Sequence, residues 1–419
     1  MEGVRLPRPT LPDKELIRND RRDRTASVRL RRSLAESGDI DDPYPLLAAA
    51  RRKGPVQTES PFGATSEGAR SFHVLGYDEV VAVLRDNETF SSRLLSDLMG
   101  PMFANTIIAM DEPEHRVHRA LVAPAFRPKL LAHWQASVIR QVVDDLIDSF
   151  ATRGHADLVQ EFTFAFPVRV IAHILGLPER DVRQFQNWAD DLISIFADWY
   201  QGVAALGELR DYFLPRVEER RSEPRDDLIS ALVTSEVAGK RLDNDEIFSF
   251  VRLLLPAGIE TTYRSLGNLI VALLSHPEQL ETVRDNPELR TAAIEEGLRW
   301  ETPFLLVVRQ STRDTSLAGV EIPRGQVVCA YVASANHDER RYDNPEAFDI
   351  RRTPTPHVAF GSGPHTCLGM HLSRLETRIA LDAIVDRLPS LRLDPDRPHP
   401  RIRGNLAFRS PDAIPVCFD

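Results

Sequence analysis

The sequence predicts one large, mostly helical domain with a small β part. Three observations lead there. Apolar residues recur at helical spacing through most of the region from about 112 to 310. Short strand-like runs stand apart from it, at 72–75, 305–309, 317–322 and 327–332. No internal repeat or low-complexity linker divides the chain, although its 419 residues exceed the usual size of one domain.

Taken in order, residues 1–40 are rich in Arg and Asp and form a charged N-terminal segment, expected to be poorly ordered. Asp20 and Asp23 interrupt its positive run, which favours a solvated tail over a basic targeting arm. The folded domain is expected over 41–419. Phe72-His73-Val74-Leu75 reads as a strand, Gly76-Tyr77-Asp78 as a turn and Glu79 as a helix start. Helical spacing then covers 128–152 and 161–176, and a further helix starts at Leu228, after Pro224. Asn244 is expected to cap a helix that runs to about Ser275 and stops at His276-Pro277. That helix is apolar nearly all round (Ile247, Phe250, Leu254, Leu266, Leu269, Leu273), so it should pass through the interior. A last helix follows Cys367, with Leu368, Leu372, Leu375 and Ile379 at helical spacing, and ends at Pro389.

Composition excludes several classes of function. Lys and Arg number 52 against 62 Asp and Glu, for a net charge of −10. A nucleic-acid footprint would be basic. No run of about 18 apolar residues is present, so no membrane span is expected, and no signal peptide is visible. Cys329, Cys367 and Cys417 are odd in number and widely spaced. They make no disulfide framework, which fits a cytoplasmic protein, and no CxxC pair for zinc or an iron–sulfur cluster.

Cys367 carries the strongest chemical signal. It lies in Phe360-Gly361-Ser362-Gly363-Pro364-His365-Thr366-Cys367-Leu368-Gly369, just before a helix. A helix N-terminus offers unpaired N–H groups and partial positive charge, which keep a sulfur ionised. The glycines allow a tight turn, and Gly369 allows a flat ligand to approach. If Cys367 binds iron, no second cysteine supports it, and a macrocycle must supply the other ligands. That points to haem with a cysteine thiolate.

A second signal interrupts the apolar helix at Pro256-Ala257-Gly258-Ile259-Glu260-Thr261-Thr262. Pro256 leaves the Arg252 carbonyl without a helical donor, and Gly258 weakens the helix further. Thr261 can donate to the carbonyl of Ala257 and widen the turn. Such a groove, with a carboxylate and a hydroxyl, can hold a small polar molecule and relay protons. The alternative is a kinked core helix in which Glu260 pairs with a neighbouring Arg. Glu296 and Arg299, three residues apart, share one helix face; alone they read first as an exposed ion pair. His115 and Arg119 share another face, Arg309 ends a strand-like run, and His365 precedes Cys367. Each alone reads as surface charge or a satisfied histidine. Beside Cys367, the set suits the two propionates of a haem.

These motifs, in this order, resemble the cytochrome P450 family. Phe360-Gly361-x-Gly363-x-His365-x-Cys367-x-Gly369 resembles its haem-thiolate signature. Ala257-Gly258-x-Glu260-Thr261-Thr262 resembles its oxygen-binding central helix, and Glu296-x-x-Arg299 its Glu-Arg pair. Asn344-Pro345-x-x-Phe348-Asp349-x-x-Arg352 resembles the segment that adds a third member to that pair. The resemblance covers residues from about 42 to the C-terminus.

The resemblance implies the P450 fold, with haem b held between the central (I) helix and the Cys-ligand (L) helix. It makes Cys367 the proximal ligand of the haem iron, with backbone N–H groups of Leu368 and Gly369 toward its sulfur and Phe360 packed beside it. Gly361, Ala257 and Gly258 join the cofactor site. His115, Arg119, Arg309 and His365 hold the propionates. Glu260 and Thr261 become a proton-delivery pair, while Glu296, Arg299 and Arg352 take a structural role. The implied activity is a monooxygenase that uses O2 to oxidise, chiefly to hydroxylate, a lipophilic small molecule. Electrons come from an external ferredoxin and ferredoxin reductase, for which Arg116, Arg127, Lys129, Arg374 and Arg378 offer a cationic face. Leu95, Met99, Phe103, Ile107, Phe250, Leu254, Ala257, Phe304, Leu305, Leu306, Leu406 and Phe408 fall where the family lines its pocket. A bacterial-type monomer, without membrane anchor or nucleic-acid partner, completes the expectation. Peroxide-driven oxygenation and a non-catalytic haem protein are the alternatives; retention of Glu260 and Thr261 counts against both.

Overall fold

The apolar helix of the sequence is the axis of the structure. This computed structural model describes residues 40–62, 71–193, 199–405 and 407–419. The expected charged segment, apart from Ile40, and the pocket position Leu406 lie outside the described residues. The axial helix comprises Asn244–Leu254, a π-helical turn at Leu255–Glu260, and Thr261–Ser275. Leu266, Ile247 and Val251 are fully buried within it, each contributing about 1.5–3 kcal/mol through removal of apolar surface from water. Its cap is Asp243, not Asn244. Asp243 accepts from the Glu246 N–H (2.8 Å) while Glu246 accepts from the Asp243 N–H (2.9 Å). This reciprocal pair satisfies both orphan donors, so the side chain one residue earlier wins. Asn244 instead accepts from Arg221 Nε (2.7 Å).

Helices pack around this axis. Ala165–Ile174 crosses the π turn closely, because a Cβ at Gly258 would lie 2.7 Å from Ile171 Cδ1. Gly258 therefore serves helix packing as well as loosening the helix. The predicted helices 128–152 and 161–176 form with π turns at Gln135–Ile139 and Val159–Thr163. The β part is a five-stranded sheet in the order Val56–Gln57, Ser71–Val74, Val327–Ala330, Val307–Ser311, Phe90–Ser91. A second core fills one side of it, from Phe72, Val74, Val80, Val83 and Val328. The sheet register places Arg309 opposite Val328, and Ser91 opposite Gln310. Smaller sheets close the C-terminal end, including the hairpin Ile402–Gly404 with Arg409–Pro411.

The final helix runs Met370–Arg387 and ends, as read, before Pro389. Leu368 precedes it and packs at the edge of the main core. Among the described residues, no helix is long and apolar enough to cross a membrane.

Candidate active site

The turn before the final helix is held by its own backbone. Gly361 and Gly363 have φ of +72° and +76°, a region that suits glycine. At Gly363 a Cβ would also meet the Leu84 carbonyl oxygen and the Arg85 Cα at 2.8 Å, so the turn sits directly on the helix Tyr77–Arg85. The Thr366 N–H donates to the Gly363 carbonyl (3.0 Å), and the Cys367 N–H to that of Phe360 (2.9 Å). These bonds fix the cysteine immediately ahead of the helix start.

Cys367 lies deep in the protein, yet its side chain is exposed. Those two facts together describe a sulfur that faces an interior space. Burial pushes its thiol up; the Gly369 N–H and the charges of Arg119 and Arg374 pull it back toward the thiolate. The expected donor Gly369 is thus in place, and Phe360 contributes its carbonyl and its ring. Arg374 stacks over that ring at 4.6 Å.

The central helix shows the matching feature. From Asn244 to Leu274 every residue is buried or half-buried except Ala257, which is exposed. Thr261 Oγ1 donates to the Ala257 carbonyl at 2.8 Å, the back-bond read from the sequence. Thr261 itself is half-buried, whereas Glu260 is only 5% exposed. Glu260 accepts from Arg264 Nη2 at 2.9 Å. The pairing with a neighbouring Arg, weighed above as the alternative, is therefore what forms. Burial pushes the Glu260 carboxyl up to about 7, with Arg264 opposing. Tyr263 packs edge-on to Phe164 at 5.3 Å.

The cationic set converges. The rings of His115 and His365 lie 4.0 Å apart. His115 is buried, and its Nε2 has no hydrogen-bond partner. Arg309 is also buried; its Nη1 donates to the Val308 carbonyl (2.9 Å), and among the described residues it makes no ion pair. Burial draws its guanidinium down to about 10. Burial, then the charges of Arg309, His115 and Arg119, push His365 down to about 3. Arg119 Nη2 donates to the Thr366 carbonyl at 2.6 Å, tying its helix to the cysteine turn. Buried donors without an acceptor call for an anion. The carboxylates of a haem fit them, and a flat macrocycle fits the exposed Cys367 and Ala257.

Sequence reasoning missed the support behind this set. Asp111 accepts from Ser91 Oγ (2.5 Å) and from the Ser92 N–H (2.8 Å), and Ser92 Oγ bonds His365 Nε2 at 3.2 Å. It also missed Glu376, buried on the final helix with Oε1 unpartnered and its carboxyl pushed up to about 8 by burial. Of the residues expected to line a pocket, Leu95, Phe103, Ile107, Leu254, Phe304 and Phe408 are half-buried, while Met99, Phe250, Leu305 and Leu306 are buried.

Glu296 sits in a closed cluster. Arg299 Nε and Nη2 each donate to it at 2.8 Å, and Arg352 Nε at 3.1 and 3.2 Å. The remaining Arg299 donors reach the carbonyls of Asn336, Pro345 and Ala347. The buried reading of this pair replaces the exposed one. On the expected cationic face, Arg116, Arg127 and Lys129 are exposed. Arg116 pairs with Glu112 (3.6 Å), Arg374 with Glu295 (2.7 Å) and Arg378 with Asp382 (2.8 Å).

The Cytochrome P450 family model matches residues 61–418, and the chain belongs to that family. It is similar to erythromycin C-12 hydroxylase of Saccharopolyspora erythraea, with 38% identity over 78% of this chain and 84% of that one. Cytochrome P450 monooxygenase PikC of Streptomyces venezuelae is 36% identical over 88% of this chain and 90% of its own. Among solved structures, CYP109E1 from Bacillus megaterium in complex with testosterone superposes with a TM-score of 0.83. It is 32% identical, covering 90% of this chain and 99% of the other. The chain is thus an enzyme of a monooxygenase family whose members bind haem and act on small substrates with O2.

Proposed function

We propose that this chain is a haem-thiolate monooxygenase that hydroxylates a lipophilic small molecule, with haem b as cofactor. The observation that carries the reading is the pair of exposed positions in the buried interior, Cys367 before the final helix and Ala257 at the π turn of the central helix. Cys367 would hold the iron from its helix-start position, with the Gly369 N–H and the nearby Arg119 and Arg374 favouring thiolate. His115, Arg119, Arg309 and His365 would hold the propionates, with Gly361 shaping the turn and Leu368 closing its edge. The bound haem supplies the activation of O2, promoted by electron density from the thiolate.

The protein's own residues would manage the protons. The Thr261 hydroxyl is held by the Ala257 carbonyl at 2.8 Å and is half-buried beside the exposed Ala257. Glu260, poised near 7, is a carboxyl able to take and give a proton at neutral pH. Ala257 and Gly258 leave room beside the hydroxyl. Half-buried Phe103, Ile107, Leu254, Phe304 and Phe408 support an apolar substrate. So do the erythromycin C-12 hydroxylase relative and the testosterone-bound structure.

Electrons would come from an external ferredoxin and ferredoxin reductase. Among the described residues no cluster of three or more His, Cys, Asp or Glu could hold a metal. Exposed Arg116, Arg127 and Lys129 support docking of an acidic donor near the His115–Arg119 helix. A cytoplasmic monomer fits three free cysteines and a described surface whose exposed large hydrophobics are only Leu46 and Tyr200.

The proton role is tested by Thr261→Ala. With a lipophilic substrate chosen by its displacement of water from the ferric iron, product per electron consumed should fall by roughly tenfold or more. The missing electrons should be recovered as peroxide. Unchanged product yield would remove Thr261 from the mechanism.

A further inference from the structure

Arg264 joins the central helix to the C-terminal hairpin. Its Nη2 donates to Glu260 Oε1 at 2.9 Å and its Nη1 to Ser410 Oγ at 2.8 Å. Its guanidinium lies 5.0 Å from the Tyr263 ring centroid and 5.4 Å from that of Phe408. Ser410 and Phe408 belong to the C-terminal hairpin, where Ser410 pairs with Arg403. Phe408 also bridges to Phe304, with their rings 5.1 Å apart. One arginine thus links the acid of the proton pair to Phe408, one ring of an aromatic pair on the expected pocket wall.

The pairing also decides where Glu260 points. Glu260 is 5% exposed beneath Arg264, while Ala257 is exposed and Thr261 half-buried. The carboxylate is bonded to the arginine one turn further along the helix, and that arginine also donates to Ser410 of the hairpin. We infer that Arg264 is a positioning residue that holds Glu260 on the hairpin side of the central helix, and that the hairpin, through Ser410 and Phe408, sets how firmly it does so. This rests on the reading of Glu260 as a proton carrier. Movement of Phe408 with a bound apolar molecule would shift the guanidinium and free the carboxylate to turn.

The electrostatics agree with the geometry. Burial opposes ionisation of Glu260 and Arg264 favours it, leaving a balance that a small displacement of the cation tips. Asp190, on the helix Glu179–Ile193, and Asp412, after the hairpin, lie near Tyr263, the neighbour of Arg264. Among the described residues neither makes an ion pair with Arg264.

The test reads Glu260 directly. In the full-length haem-loaded protein, the carbonyl stretch of the protonated carboxyl is followed by infrared difference spectroscopy against pH, and its loss in Glu260→Gln assigns it. Arg264→Gln should raise the titration midpoint by about 1–3 pH units, because a buried carboxylate loses its cation. Arg264→Lys should restore most of that shift, and Ser410→Ala should move the midpoint the same way by less. If Arg264→Gln does not fold, Arg264→Met, which keeps the length of the side chain without its charge, takes its place with the same expected rise and the same overturning result.

An Arg264→Gln midpoint equal to wild type overturns the inference. A wild-type midpoint in Ser410→Ala overturns the link to the hairpin. The band reports Glu260 whether or not it works in turnover. A shifted band together with undiminished product yield in Glu260→Gln would sink the proton-carrier reading and leave the positioning of Glu260 by Arg264 standing.

Discussion

Two of the buried charge clusters in this molecule are built on opposite plans. Around Glu296 every cation has its anion: Arg299 and Arg352 share one carboxylate, and carbonyl oxygens take the remaining Arg299 donors. Around His365, by contrast, Arg309, His115 and Arg119 crowd together; among the described residues the one carboxylate bonded to them is Glu112, at His115 Nδ1 (3.2 Å), and His115 Nε2 has no partner. Asp111 stands behind this set, holding Ser91 and Ser92. A cluster that satisfies itself stabilises a fold. One that gathers unpaired donors in the interior stabilises whatever anion enters it.

Deleting charge should separate the two plans. Glu296→Gln leaves the buried Arg299 and the half-buried Arg352 without a counter-ion, and should destabilise the protein by about 3–5 kcal/mol with or without haem. Urea unfolding of both forms checks this. A loss confined to the haem-loaded form would merge the two clusters into one. Arg309→Gln should behave in the opposite sense. The haem-free protein sheds a buried cation without a partner, so its unfolding midpoint should stay level or rise. Loss of one charge-assisted bond to a propionate, worth about 1.5–3 kcal/mol, should weaken haem retention by roughly 10- to 100-fold. Haem transfer to excess apomyoglobin measures it, and unaltered transfer would take Arg309 out of the cofactor site.

The parts legible in the sequence were those where local chemistry decides. Pro256 removes a donor and Thr261 supplies a hydroxyl four residues after Ala257, so both the kink and its hydrogen bond follow from neighbours along the chain. The same holds for the Cys367 turn, where two glycines adopt positive φ. The cap of the central helix was misread by one residue, because Asp243 and Asn244 are both good caps; Glu246 at the third position beyond Asp243 was the deciding signal.

What stayed hidden depends on chain segments far apart. Asp111 reaches Ser91 across 20 residues, and Glu301 joins Arg409 across 108 and Tyr44 across 257. No periodicity announces such contacts. Glu376 carried no signal either, since at that spacing a carboxylate on a helix reads as surface. Arg264 was visible only as an unnamed arginine partner for Glu260, and its second bond, to Ser410, spans 146 residues.

All of this turns on one sulfur. The most direct test is the absorption spectrum of the reduced, haem-loaded protein under carbon monoxide, compared between wild type and Cys367→His. Wild type should show the long-wavelength band that marks a thiolate opposite carbon monoxide, and Cys367→His should lose it in favour of a histidine-type band. A histidine-type band in the wild type, or a thiolate band that survives the substitution, would contradict the assignment of Cys367 as the iron ligand.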